Sequence, residues 1–84
     1  MNLYDGKIGN EGLIHLNKIK FNQLNELNLS YNQISDISIL EKVNFKELKE
    51  LNLNNNEISD ISILEKVNFT ELKKLYLSRN KYQI

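Results

Sequence analysis

The chain holds one histidine, His15, and no cysteine. A lone imidazole does chemistry only with partners. As a base it needs a nucleophile and an orienting carboxylate, and as a metal ligand it needs further ligands. His15 has neither a carboxylate pair nor a thiolate near it in sequence. It is expected to pack partly buried or to sit on the surface. Asp36 and Asp60 could act as a general acid and base. They stand, however, in identical Ile-Ser-Asp-Ile-Ser frames 24 residues apart, so they read as marks of a repeat. Serines 30, 35, 38, 59, 62 and 78 fall where turns and caps are expected. The glycines are Gly6, Gly9 and Gly12, which do not form a phosphate-cradling loop. No catalytic residue, cofactor or metal is therefore expected, and the chain is not read as an enzyme.

Composition narrows the partners. Eleven basic and eleven acidic residues cancel to a net charge of zero. A neutral chain lacks the basic footprint of a nucleic-acid binder and the polybasic run that holds a protein on an anionic membrane. The N-terminal stretch from Met1 to Lys7 is not apolar like a signal peptide, and no window approaches a membrane span. A cytoplasmic location is the default expectation. Eighty-four residues make one domain at most.

The elements that must position any functional side chain come from an internal repeat. Residues 24–47 and 48–71 form two copies of 24 residues that agree at 19 positions. They differ only at 25/49, 30/54, 31/55, 33/57 and 46/70. Residues 72–84 begin a third copy. Each copy opens with L-x-x-L-x-L-x-x-N-x-I: Leu24, Leu27, Leu29, Asn32 and Ile34, then Leu48, Leu51, Leu53, Asn56 and Ile58. The last copy runs Leu72, Leu75, Leu77, Asn80 and Tyr82. Residues 1–23 match more loosely. Leu13, Leu16, Ile19 and Phe21 align with Ile37, Leu40, Val43 and Phe45, while Ile8 to Asn10 fits Ile34 to Asp36 only with two residues inserted.

This pattern resembles the leucine-rich-repeat family. The segments Ile34 to Ser38 and Ile58 to Ser62 are similar to its SDS22-like and internalin-like subclasses, although those usually repeat every 22 residues and this chain repeats every 24. Lys7 to Gly12 resembles the turn of ribonuclease-inhibitor-like repeats. The resemblance implies an α/β leucine-rich-repeat solenoid, with a parallel β-sheet on the concave side and short helices or 3₁₀ turns on the convex side. It divides the single domain into a degenerate N-terminal repeat or cap (1–23), two repeats (24–47 and 48–71) and a partial repeat (72–84). It also implies that Asn32, Asn56 and Asn80 form a buried ladder that satisfies backbone groups.

The residues support the same picture physically. Alternation in Leu27-Asn28-Leu29 and its copies turns leucines to one side and polar residues to the other, as in a half-buried strand. Ile37, Leu40 and Val43 point inward at near-helical spacing. Ser38 with Glu41, and Ser62 with Glu65, have capping-box spacing, with Asp36 and Asp60 as competing N-caps. The connecting arm is thus a short helix or 3₁₀ turn ending near Phe45 and Phe69, which are expected to form an apolar spine.

The outward strand positions form columns: Glu26, Glu50, Lys74; then Asn28, Asn52, Tyr76; then Ser30, Asn54, Ser78. Beyond the strand come Tyr31, Asn55, Arg79 and then Gln33, Glu57, Lys81. In the family such columns face a protein partner. The alternatives are a face kept polar for solubility or a real contact surface. Substitutions between the two copies cluster beside this face, and Tyr and Arg are enriched at binding hot spots. The candidate partner-binding residues are Glu26, Asn28, Tyr31, Glu50, Asn52, Asn54, Lys74, Tyr76 and Arg79.

Charge is uneven. Residues 72–84 hold Lys73, Lys74, Arg79 and Lys81 and no acid, while residues 24–71 are acidic overall. The pattern stops after a third strand, leaving Leu72, Leu75 and Leu77 without a following coil. Either the chain is an excerpt of a longer repeat protein, or it closes its open C-terminal end as a homodimer. The second expectation places Tyr76, Leu77, Tyr82 and Ile84 at a subunit interface.

Overall fold

A computed structural model describes residues 1–16, 23–43, 45–67 and 69–82. The expectations attached to Ile19, Phe21 and Ile84 lie outside the described residues. The elements run α1 (Gly9–Leu16), β1 (Glu26–Asn28), a 3₁₀ turn (Ser38–Lys42), β2 (Glu50–Asn52), a second 3₁₀ turn (Ser62–Glu65) and β3 (Lys74–Tyr76). The three strands form one parallel sheet in the order β1-β2-β3. Glu26 lies beside Glu50 and Glu50 beside Lys74, so the register is one full repeat per strand.

The leucine alternation sets the core. Leu27, Leu29, Leu51 and Leu53 turn inward from the strands and join Ile34, Ile37, Leu40, Phe45, Leu48 and Ile58 in one buried cluster. In β1 and β2 the asparagine that ends the strand folds back on the chain. Asn28 Oδ1 accepts the Ser30 N–H at 3.0 Å, and Asn52 Oδ1 accepts the Asn54 N–H at 2.9 Å. Such local acceptors compete with ladder pairing and favour a turn. The next residue then adopts a left-handed conformation in every repeat: Tyr31 (φ 59°), Asn55 (φ 58°) and Arg79 (φ 57°).

The arm is 3₁₀. Leu40 N–H donates to Ile37 O at 3.0 Å, and Val43 N–H to Leu40 O at 3.2 Å. β-branched Ile37 and Ile39 and the short span favour this tighter winding over α-helix. The capping box does not form. The preceding residue, Ile37 or Ile61, makes no side-chain cap bond. Instead Asp36 Oδ1 accepts the Ser38 N–H, and Asp60 Oδ1 accepts the Ser62 N–H, both at 2.9 Å. The turns end at Lys42 and Glu65, short of the phenylalanines. Phe45 and Phe69 stack with centroids 5.6 Å apart.

The N-terminal stretch extends the same sheet. Leu3 N–H donates to Asn28 O at 2.8 Å, Asp5 N–H to Ser30 O at 3.0 Å, and Asn28 N–H to Met1 O at 3.0 Å. Asn2 bridges Asn28 in parallel. The offset here is 26 residues, because two extra residues lie within α1, between Asn10 and Leu13. Among the described residues no helix is long and apolar enough to cross a membrane.

Candidate functional site

The ladder asparagines hold the sheet in place. Asn56 Oδ1 accepts the N–H groups of Asn32 and Ile34, both at 3.0 Å. Its Nδ2 donates to Leu29 O and Leu53 O, both at 3.0 Å. Asn32 repeats this one step earlier, accepting from Gly6 N–H at 2.8 Å and donating to Leu3 O at 2.9 Å. Asn80 repeats it one step later, accepting from Ile58 N–H at 3.1 Å. Among the described residues no buried side-chain polar atom lacks a partner. Unpaired groups there would be costly, so these amides are committed to the scaffold.

The outward columns stand as the register requires. Glu26, Glu50 and Lys74 form one row and Asn28, Asn52 and Tyr76 the next. Lys74 Nζ lies 3.4 Å from Glu50 Oε1. Glu26 is exposed and in no ion pair among the described residues. The carboxamide oxygens of Asn2, Asn28 and Asn52 each accept the N–H two residues on, from Tyr4, Ser30 and Asn54. This holds each amide by its oxygen, and none of the three NH₂ groups donates within the described residues. Met1, Asn2, Glu26, Leu27, Asn28, Glu50, Asn52 and Tyr76 line an open depression of about 330 Å³.

The third column does not behave as one face. Ser30 is buried at 4% exposure, with its hydroxyl on Asn28 Oδ1 at 2.6 Å. Asn54 Oδ1 accepts both the N–H and the hydroxyl of Ser78, at 2.7 and 2.9 Å. Its oxygen is therefore used within the sheet. Tyr31 is exposed and meets the Tyr4 ring edge-on, with centroids 5.3 Å apart. Arg79 lies exposed on the turn after β3, at the position equivalent to Tyr31. His15 is exposed at the end of α1. No group of three or more potential ligand residues that could hold a metal ion occurs among the described residues.

Reasoning from the sequence missed Met1, Asn2 and Tyr4. The signal was present: Asn2 and Asn28 are 26 residues apart, the same offset that matches Ile8 to Ile34. Asp36 and Asp60 each face the serine two residues on. The Ser38 N–H, then its hydroxyl, holds the Asp36 carboxyl below the usual aspartate value. The Ser62 hydroxyl, then its N–H, does the same for Asp60. Both bonds serve the turn.

A parallel sheet built from sequential repeats, with a polar face on one side and leucines on the other, defines an α/β repeat protein. The chain belongs to the leucine-rich-repeat family: the family model for Leucine Rich repeats (2 copies) matches residues 22–66 and 46–83. No curated protein matches the chain. Repeats of this family commonly serve as protein-interaction modules.

Proposed function

We propose that the repeats coil as a solenoid, with the sheet concave and the 3₁₀ turns convex, and that the chain is a protein-binding module. It acts by recognition and not by catalysis. The partner protein seats on the sheet face, over Glu26, Asn28, Tyr31, Glu50, Asn52, Asn54, Lys74, Tyr76 and Arg79. The observation that carries this reading is the row of amide NH₂ groups from Asn2, Asn28 and Asn52 across an open depression. Free donors beside the Glu26 carboxylate, flanked by exposed Tyr31 and Tyr76, suit a polar contact with aromatic anchors. The pair of exposed Lys74 with half-buried Glu50 is solvated on one side and contributes little to stability, which leaves these charges available to a partner.

The test is the triple variant Tyr31→Ala, Asn52→Ala, Tyr76→Ala. A partner captured by the native chain is lost by the variant while the circular dichroism spectrum is unchanged. Retention of the partner by a folded variant overturns the reading. Self-association through the exposed β3 is the competing reading. Light scattering on a sizing column, over a wide concentration range, separates the two.

A further inference from the structure

Charge is sorted within the two complete repeats. From Glu26 to Ile34 and from Glu50 to Ile58, strand and following turn, the only charged side chains are Glu26, Glu50 and Glu57. The lysines of these repeats, Lys42, Lys46, Lys49 and Lys66, all lie outside those stretches. The sheet face of residues 24–71 is therefore acidic. The register sets Glu26 directly beside Glu50. Neighbouring strands lie about 4.8 Å apart, and like charges side by side are destabilising. Both strands are inner ones: Asn2 bridges β1 on one side and β3 pairs with β2 on the other.

The chain itself shows what such carboxylates take. Lys74 Nζ approaches Glu50 Oε1 at 3.4 Å, and Lys81 Nζ approaches Glu57 Oε1 at 3.7 Å. No cation pairs with the Glu26 carboxylate among the described residues, and the Met1 ammonium is bonded to the Glu26 main-chain oxygen. Two residues further along each strand stand Asn28 and Asn52. Their oxygens are occupied by the Ser30 and Asn54 N–H groups. Only the NH₂ ends remain, and these can only donate. A row of charged acceptors thus runs beside a row of neutral donors, about 6.6 Å apart along the strands. The open depression of about 330 Å³ lies over both rows. A cation with carbonyl groups beside it complements the two rows together.

We propose that this depression receives an arginine of the partner protein, whose guanidinium bridges Glu26 and Glu50 while main-chain carbonyls beside it accept from the Asn28 and Asn52 NH₂ groups. Arginine suits the pair better than lysine. Its planar fork carries five donors and bonds two carboxylates at once, whereas an ammonium is a point charge. Lys74 meets Glu50 through one oxygen and is largely solvated, so sharing Glu50 with a second cation costs little. The inference rests on the sheet-face reading and names the chemistry of the partner there.

The test uses the 84-residue chain labelled with nitrogen-15. The probes are end-blocked glycine peptides that differ only in one central residue: arginine, lysine or glutamate. NMR follows the side-chain NH₂ signals. The arginine peptide moves those of Asn28 and Asn52, with a dissociation constant roughly threefold or more below that of the lysine peptide. The glutamate peptide moves neither. Affinity for the arginine peptide falls several-fold between about 0.05 and 0.5 M salt. The double variant Glu26→Gln, Glu50→Gln keeps its circular dichroism spectrum and loses the preference for arginine over glutamate. Equal affinity of the native chain for those two peptides overturns the proposal, as does a folded double variant that keeps the preference. Absence of any shift at Asn28 and Asn52 at millimolar arginine peptide overturns it too. Shifts there that follow the chain's own concentration without peptide assign the depression to Arg79 of a second copy, and also overturn it. Should the double variant fail to fold, the ranking of the peptides and the place of the shifts in the native chain decide alone. A partner lost by the sheet-face triple variant but held by the folded double variant leaves the sheet-face reading standing and overturns this one.

Discussion

Asn56 Oδ1 accepts the backbone N–H of Asn32 at 3.0 Å, across 24 residues of sequence. The same carboxamide also holds Ile34 N–H, Leu29 O and Leu53 O. Asn56→Ala strands several of these groups beside the fully buried Ile34 and Leu53. At about 1–3 kcal/mol for each unsatisfied group, the variant loses about 3 kcal/mol or more. Asn80→Ala, at a half-buried position, loses less. Urea denaturation of the two variants checks both the size and the order.

The phenylalanine stack gives a second measurement. Phe45 is fully buried and Phe69 only half so, with rings stacked 22° from parallel. Phe45→Ala costs about 3–5 kcal/mol, and Phe69→Ala roughly half of that, in proportion to its burial. A double-mutant cycle returns a coupling of about 1 kcal/mol between them.

Gly12 separates helix propensity from packing. It lies in the middle of α1, where alanine is favoured by about 1 kcal/mol on helix scales. A Cβ at this position would overlap Ile8 Cγ2. Ile8 packs against the core, and its N–H is held by Asn32 Oδ1 at 3.3 Å, so it cannot withdraw freely. Gly12→Ala therefore destabilises, by about 1–2 kcal/mol net, and thermal melts show a lowered midpoint where propensity alone gives a raised one.

Acid weakens the turns before the 3₁₀ segments. The Asp36 and Asp60 pKa values are depressed in the folded chain by their serines. The stabilisation is complete above the unfolded-state pKa, near about 4, and is lost as pH falls through the depressed folded values. Both groups are exposed, so the effect is small and screened by salt. Denaturation midpoints of the native chain fall on going below that pH, and the double variant Asp36→Asn, Asp60→Asn shows a shallower fall.

The repeats and the inward leucines were legible because identical copies report their own period, and alternation reports a strand. Asn32, Asn56 and Asn80 were placed correctly for the same reason. At the start of each arm the residues left two caps open, a serine–glutamate box or the preceding aspartate, and the aspartate takes the bond. Ser38 and Glu41 have the right spacing, but Asp36 captures the Ser38 N–H first, and sequence does not rank two nearby acceptors. Ser30 lies on the face of Asn28, as alternation expects, with its hydroxyl on Asn28 Oδ1, yet it is buried; alternation reports the side of the sheet and not the cover over it. The pairing of Met1 to Asp5 was hidden by its change of offset to 26. A sheet edge has no sequence signature of its own, and Leu75 is the same residue type as the buried Leu27 and Leu51.

The ladder carboxamides all reach in one direction. Asn32 grips Gly6 and Ile8, Asn56 grips Asn32 and Ile34, and Asn80 grips Ile58. Each turn is thus closed by the repeat that follows it in sequence. Coupling between neighbours in a repeat array is one shared quantity, and fraying at Asn80 costs Ile58 its acceptor just as fraying of the N-terminal stretch costs Asn32 its bonds to Gly6, Ile8 and Leu3. What runs one way is the protection of the turn amides: exchange at Ile58 is set by the half-buried Asn80 and exchange at Ile34 by the buried Asn56, so it slows from Ile58 to Ile34.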